Sequence, residues 1–343
     1  MRPKLRLATT AALVSTTALS LGACSRSGGT ASPGAGSSGA ATSSASSNKS
    51  AVMIMSTLNN PFFVSVKNGA VAEAPKKGLK LDVQNANNSD ATALNLATTA
   101  LSQKSGILII DPVGSQSATA SVNAANTANV PVMAFDRQPS GGNLATFVGY
   151  DAIQAGRNAA DALARGMGDK GTIVEIQGIL GTNVAEDRSK GFEQQMTKHP
   201  GIRTVAKQAA DFDRSKALNV MTNILQAHPT INGVYAANDE MALGVLAALK
   251  ARNLAGKVVL VGNDGISDAL AAIAVGQMYA TNAESPYELG QQVADLAAQV
   301  LNGQPVEKNK KLEGGLVTKA TVKKYAQHLV TIGDAADAPP SLR

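Results

Sequence analysis

Residues 51–63 read AVMIMSTLNNPFF. The run 51–56 is apolar and β-type, polar turn residues close it, and 62–74 has apolar residues at three- and four-residue spacing. A short unbroken apolar run bounded by turn signals reads as a strand buried on both faces. What joins strand to helix decides between folds. A dinucleotide-binding sheet would place Gly-x-Gly-x-x-Gly there. This chain has Ser56-Thr57-Leu58-Asn59-Asn60-Pro61-Phe62-Phe63 instead, and it contains no Walker phosphate loop.

Outward from this stretch the rhythm repeats. The β-type runs 79–84, 106–110 and 130–135 alternate with helical spacing at 90–104 and 115–128. Asp90 suits a helix N-cap, and Pro75 and Gly78 suit a helix stop. A second series follows, with β-type runs at 172–176, 202–207, 232–236 and 258–262 and helical stretches at 184–198, 214–227 and 239–252. A last helical stretch covers 286–302, and Glu307-Lys308-Asn309-Lys310-Lys311 reads as a solvated linker. Strand–helix alternation predicts parallel sheets with helices on both faces. Two series predict two similar, doubly wound α/β domains.

The chain has 343 residues, 44% hydrophobic and 16% charged, which suffices for two ordinary domains or one large one. A disordered chain, a coiled coil and a disulfide scaffold are excluded. Net charge is +6, and Arg2, Lys4 and Arg6 lie in the acid-free stretch 1–23, leaving 28 basic against 25 acidic residues. So small an excess is a poor electrostatic footprint for nucleic acid.

Residues 1–23 run from basic to apolar to small, the layout of a secretory signal peptide. Cys24 is the only cysteine, so no intramolecular disulfide forms; it follows Leu21-Gly22-Ala23. That arrangement resembles a bacterial lipobox, which implies lipidation of Cys24. Several acyl chains, each contributing roughly 0.8 kcal/mol per buried methylene, would anchor it firmly. The Ser/Gly/Ala tract within 24–50 reads as a flexible tether. The globule is therefore expected outside the cytoplasm, lipid-anchored, in a periplasm or on the outer face of the plasma membrane.

Ligands of open parallel sheets bind beyond the carboxyl ends of the strands. Those positions hold Ser56, Asn60, Phe62 and Phe63, then Asp111, then Asp136 and Arg137. In the second series they hold Gly178–Thr182 with Arg188 beyond, Asp211-Phe212-Asp213-Arg214, Asn238-Asp239-Glu240, and Asn263-Asp264-Gly265. No base–nucleophile pair is among them. Carboxylates accept from hydroxyls, amides accept and donate, and guanidiniums offer planar donors. Phe rings cover the C–H faces of a sugar. This is the chemistry of a small neutral polyhydroxylated ligand. The plain structural roles compete: Phe62 and Phe63 as core, and Asn238 and Asp264 as helix caps. No His/Cys/carboxylate spacing suggests a metal.

At these residues a family resemblance becomes specific. Ser56 to Ser65, Ala210-Asp211-Phe212-Asp213-Arg214, Asn238 to Gly244, Asp136-Arg137-Gln138 and Val261 to Gly265 resemble, in order, signatures of bacterial ribose-binding proteins. The resemblance spans about 51–320. It implies the type I periplasmic-binding-protein fold, with two lobes joined by a three-crossover hinge. The crossovers would fall near Tyr150-Asp151, Glu284-Ser285 and Glu313-Gly314, with Tyr150, Asp151 and Ser285 as hinge residues. One lobe would comprise 51–149 plus 285–312, the other 150–284 plus 313–330, and 331–343 would be a tail. The implied ligand contacts are Ser56, Asn60, Phe62, Phe63, Asp111, Asp136, Arg137, Arg188, Phe212, Asn238, Asp264 and Glu284. Asp111 and Glu284 stand where the family has amides, and Asn263 where it often has Phe. An ionised carboxylate accepts only, so each acid loses a donor and adds charge. That charge either faces a nearby Arg or favours a ligand other than ribose.

The implied activity is capture of a monosaccharide, ribose or a related pentose or polyol, by a monomer. Closure of the lobes then precedes delivery to an ABC-type permease, with no cofactor. Three rival classes differ in what they need. A sugar-sensing module for a chemoreceptor or kinase would share every feature. A sugar-responsive repressor would need an N-terminal helix-turn-helix where the signal and tether stand. A glycosidase would need two carboxylates about 5–10 Å apart astride a scissile bond.

Overall fold

The computed structural model describes residues 48–343. The expected signal segment, Cys24 and the expected tether up to residue 47 lie outside the described residues.

In the first series the elements are β1 (Ser50–Met55), α1 (Pro61–Glu73), β2 (Lys80–Asn85), α2 (Asp90–Ser102), β3 (Ile107–Ile110), α3 (Ala118–Thr127), β4 (Val132–Phe135) and β5 (Thr146–Tyr150). The second has α4 (Ala152–Met167), β6 (Gly171–Gln177), α5 (Asn183–Met196), β7 (Ile202–Ala209), α6 (Arg214–Ala227), β8 (Gly233–Ala236), α7 (Asp239–Ala251), β9 (Val259–Asp264), α8 (Ser267–Ala274) and β10 (Ala280–Ala283). The chain finishes with α9 (Pro286–Leu301), β11 (Asn309–Leu312), β12 (Gly315–Thr318) and α10 (Val322–Thr331). Two six-stranded sheets form, in the orders β11-β5-β4-β3-β1-β2 and β12-β10-β9-β8-β6-β7. All pairings are parallel except β10 with β12. Central strands β3, β4 and β8 are buried along their whole length, as covering helices on both faces require.

The chain passes between the sheets three times. It leaves the first after β5, at Asp151, returns after β10 through Glu284-Ser285, and leaves again between β11 and β12 at Glu313-Gly314. Tyr150 Oη donates to the Ser285 carbonyl at 2.9 Å, tying two of these crossings together.

The helices that follow the first two crossings dock backbone to backbone. A Cβ on Gly290 of α9 would sit 2.0 Å from the Val66 carbonyl of α1, and one on Gly69 of α1 would sit 2.0 Å from the Tyr287 carbonyl of α9. The other lobe repeats the device. A Cβ on Gly156 of α4 would sit 2.1 Å from the Arg188 carbonyl of α5, and one on Gly191 of α5 would sit 2.1 Å from the Ile153 carbonyl of α4. A mid-helix glycine costs about 0.5–1 kcal/mol relative to alanine; here the close approach is what it provides.

Two local expectations change. Ser89, not Asp90, caps α2: its Oγ accepts from the Thr92 N–H at 3.2 Å, and Asp90 is the first helical residue. The Lys-rich run is no linker, because Asn309–Leu312 is the edge strand β11, with Asn309 and Lys311 exposed. Charge on an edge strand discourages pairing with another chain. Beyond α10 the chain folds back onto the first lobe, where Ser65 Oγ of α1 donates to the buried Asp334 carboxylate at 3.0 Å.

Candidate functional site

The carboxyl ends of the two sheets face each other across a small cavity. Asn60, Phe62, Phe63, Asp136 and Arg137 line it from the first lobe; Val184, Arg188, Phe212, Asn238 and Asp264 line it from the second. Three of these, Asp136 (φ 56°), Phe212 (φ 57°) and Asp264 (φ 125°), hold positive φ. Such backbone strain in non-glycine residues clusters at functional sites.

Local structure aims each group. The Asn60 side chain accepts from the Phe62 N–H at 2.9 Å and so caps α1, which carries both Phe rings at its start. Those rings meet edge to face, 5.3 Å between centroids. Asn238 Oδ1 accepts from the Met241 N–H at 2.9 Å and caps α7. Asp264 caps nothing: Asp239 Oδ2 accepts from the Gly265 and Ile266 N–H groups at 2.7 and 3.1 Å, and Ile266 is the N-cap of α8. The Asp264 carboxylate thus faces the cavity and Arg188, with its Oδ1 also accepting from Asn263 Nδ2 at 3.2 Å.

Each lobe holds one buried guanidinium. Arg137 donates to the Pro112 carbonyl at 3.1 Å and lies 5.3 Å from the Phe63 ring centroid and 5.7 Å from that of Phe212. It therefore stacks against rings from both lobes. Arg188 donates to the Ala237 carbonyl at 2.8 Å and to Glu284 Oε2 at 2.9 Å, with Asp264 Oδ1 at 3.5 Å. The Nε of each arginine is buried with no hydrogen-bond partner among the described residues.

Three expected contacts stand behind the wall. Ser56 and Asp111 pair with each other: Asp111 Oδ2 accepts from the Ser56 N–H at 3.1 Å, and its Oδ1 lies 4.0 Å from Arg137 Nε. Glu284 is consumed by the protein, one oxygen on Arg188 and the other accepting from Asn263 Nδ2 at 3.0 Å. The acids at the two amide positions thus face arginines rather than the cavity. Val184 was absent from the sequence reading; it lies four residues before Arg188, on the same face of α5.

Four carboxylates surround two guanidiniums here. Burial pushes the Asp111 carboxyl up to about 7, against the pull of Arg137. Burial likewise raises Asp136 and Glu284, and raises Asp264 far above the ordinary carboxylate range, with Arg137 or Arg188 opposing in each case. Burial alone would lower Arg188, but Glu284 and Asp264 outweigh it and hold the guanidinium above its usual value. Among the described residues no group of three or more His, Cys, Asp or Glu could hold a metal ion. No helix among them is long and apolar enough to cross a membrane.

Two lobes joined by three crossings, with a polar cavity walled from both sides, define a solute-binding protein. The chain belongs to the periplasmic binding proteins, matching the periplasmic binding protein domain over residues 51–305. It is 40% identical over 267 residues to the ribose import binding protein of Salmonella typhimurium, covering 78% of this chain and 90% of that one. An Actinobacillus succinogenes ABC-transporter solute-binding protein with bound D-allose superposes with a TM-score of 0.78 at 31% identity, over 81% of this chain and all of that one. A Bacillus halodurans counterpart with bound myo-inositol gives 0.77 at 28% identity, over 81% and 97%. Such proteins serve transport outside the cytoplasm and are not enzymes. Sugar binding and work with an ABC transporter belong to the family reading.

Proposed function

We propose that this chain captures one monosaccharide, ribose or a related pentose or polyol, and presents it with closed lobes to an ABC-type permease. The observation that carries the reading is the cavity wall. Two guanidiniums, two carboxylates, two Asn amides and three Phe rings come from opposite lobes. The guanidiniums of Arg137 and Arg188 offer donors at the cavity wall, and the carboxylates of Asp136 and Asp264 offer acceptors, which suits sugar hydroxyls. A hydroxyl buried unpaired costs about 1–3 kcal/mol, so the wrong epimer is rejected by what it leaves unsatisfied. Because Asp111 and Glu284 are engaged inside the protein, their charge does not argue against ribose. The relatives' ligands, ribose, D-allose and myo-inositol, are small polyhydroxylated molecules and support the class.

The rest of the reading concerns how the protein works in place. The lobes are 51–149 with 285–312 and 150–284 with 313–330, rotating about Tyr150, Asp151 and Ser285. The mature chain acts as a monomer, held to the cell membrane through Cys24 after loss of 1–23. Thermal unfolding against a panel of pentoses, hexoses and polyols tests the ligand. At 100 times its dissociation constant a ligand adds about 2.7 kcal/mol, a shift of several degrees. Silence across the whole panel sinks the small-sugar reading.

A further inference from the structure

The lobes meet outside the cavity wall as well as across it. Thr182 occupies the N-cap position of α5 but does not cap it, because its Oγ1 donates to the Ile179 carbonyl at 2.7 Å. The first helical N–H, that of Asn183, donates to Ser115 Oγ of the opposite lobe at 3.2 Å. Asn183 Oδ1 accepts from the Gln138 N–H at 2.8 Å and from Ser115 Oγ at 3.4 Å. Ser115 follows β3 and Gln138 follows β4, so each bond that Asn183 makes to them runs from lobe to lobe. None of the three residues lines the cavity. Opening the lobes must break all of these bonds.

We propose that Asn183 is a clasp: a positioning residue that sets the ratio of closed to open protein, and through it sugar affinity, without touching the sugar. The inference rests on the hinge-closure reading above. A site that is competent only when closed binds in proportion to the closed fraction. The clasp also fixes the register of α5, which carries Val184 and Arg188, against Asp136 and Arg137 of the facing wall.

The test is calorimetric titration of the full chain and its variants with D-ribose, beside small-angle scattering of the same proteins without sugar. Asn183→Ala is expected to weaken ribose binding about ten-fold, the worth of one good hydrogen bond. Ser115→Ala should lose less, since the Gln138 bond survives; the double variant should lose more than Asn183→Ala alone, because the backbone N–H of residue 183 still reaches Ser115 Oγ in that single variant, but less than the product of the singles, because both remove the Ser115 Oγ to Asn183 Oδ1 bond. Asn183→Asp keeps the acceptor and places an acid at a helix N-terminus, where it is favourable, so it should restore binding. Wild-type affinity in Asn183→Ala, or a double variant whose loss is the product of the singles, would overturn the clasp. If the wild type takes no ribose, the ligand reading has failed and scattering alone decides. Asn183→Ala must then show a larger radius of gyration than the wild type; an unchanged radius overturns the proposal.

Discussion

Replacing Arg188 with Met removes the one cation that Glu284 and Asp264 share. Arg188 and Glu284 are 4% and 1% exposed, so water cannot take over the missing charge. Breaking a buried pair by removing one partner costs about 3–5 kcal/mol, which is the expected loss of stability at pH 8. Both carboxyls already sit above their ordinary values through burial, with Arg188 opposing; without it they rise further. A carboxylate raised in the folded state binds more protons there than in the unfolded chain. Stability is therefore lost as pH rises through the window between the two values. The deficit of Arg188→Met should grow with pH. By pH 5 it should shrink to the lost Ala237 contact and packing, about 1–2 kcal/mol. Urea unfolding at pH 5 and pH 8 reads the difference. With m near 3 kcal/mol/M, the midpoint should fall by about 1 M or more at pH 8 and by roughly half that or less at pH 5. Adding Glu284→Gln should recover part of the loss at pH 8 only. A deficit that is the same at both pH values would show that the two acids do not depend on Arg188, and the electrostatic account of this half of the site would fall.

Other perturbations follow from the same geometry. Asp111→Asn should stabilise the protein by about 1–3 kcal/mol at pH 8 and not at pH 4, because a carboxyl moved from 3.8 to about 7 by burial is a liability only when ionised; chemical denaturation at the two pH values checks this. In Gly178→Ala the new methyl would stand 2.1 Å from Phe212 Cζ. It should drive the ring off Arg137 and weaken ribose binding at least about ten-fold by calorimetry, roughly the worth of one cation–π stack, while the melting temperature barely moves. Gly290→Ala forces a methyl against the Val66 carbonyl. It should lower stability by about 1–3 kcal/mol in urea unfolding, with sugar contacts intact.

Much of this fold is legible because several β-type runs are apolar enough to be buried by their own composition. β1 and β3 are apolar enough to announce themselves, and helices such as α6 and α7 begin where Asp213 and Asn238 accept from N–H groups one turn on. What escapes is what neighbours impose. β10 is only Ala-Thr-Asn-Ala, a strand by virtue of β9 and β12 on either side. β11 has the sequence of a linker and becomes a strand by pairing with β5. The site divides in the same way. Residues at or just beyond strand ends reach the cavity, as Asp136, Arg137, Asn238 and Asp264 do. Whether a carboxylate faces a ligand or an arginine depends on contacts distant in sequence, so Glu284 on Arg188 and Asp111 on Ser56 could not be assigned from order alone. Asn183 and Ser115 carry no motif; only the meeting of the lobes gives them a partner.

The reciprocal glycines between α1 and α9, and between α4 and α5, have a mechanical meaning. Side-chain interfaces can absorb a small displacement by changing rotamers. A carbonyl lying where a Cβ would otherwise be leaves no rotamer to change. Helices α4 and α9 start right after the crossings at Asp151 and Ser285, and they press on the helices that carry Arg188 and the Phe62–Phe63 pair. On the proposed hinge closure, rotation at the crossings would therefore reach the cavity wall without slack. Each lobe would then behave as a stiff jaw, and the angle between the jaws and the fit around the ligand would become one coordinate. A protein touching only the outer rims of the two lobes could read from their spacing whether the cavity is filled.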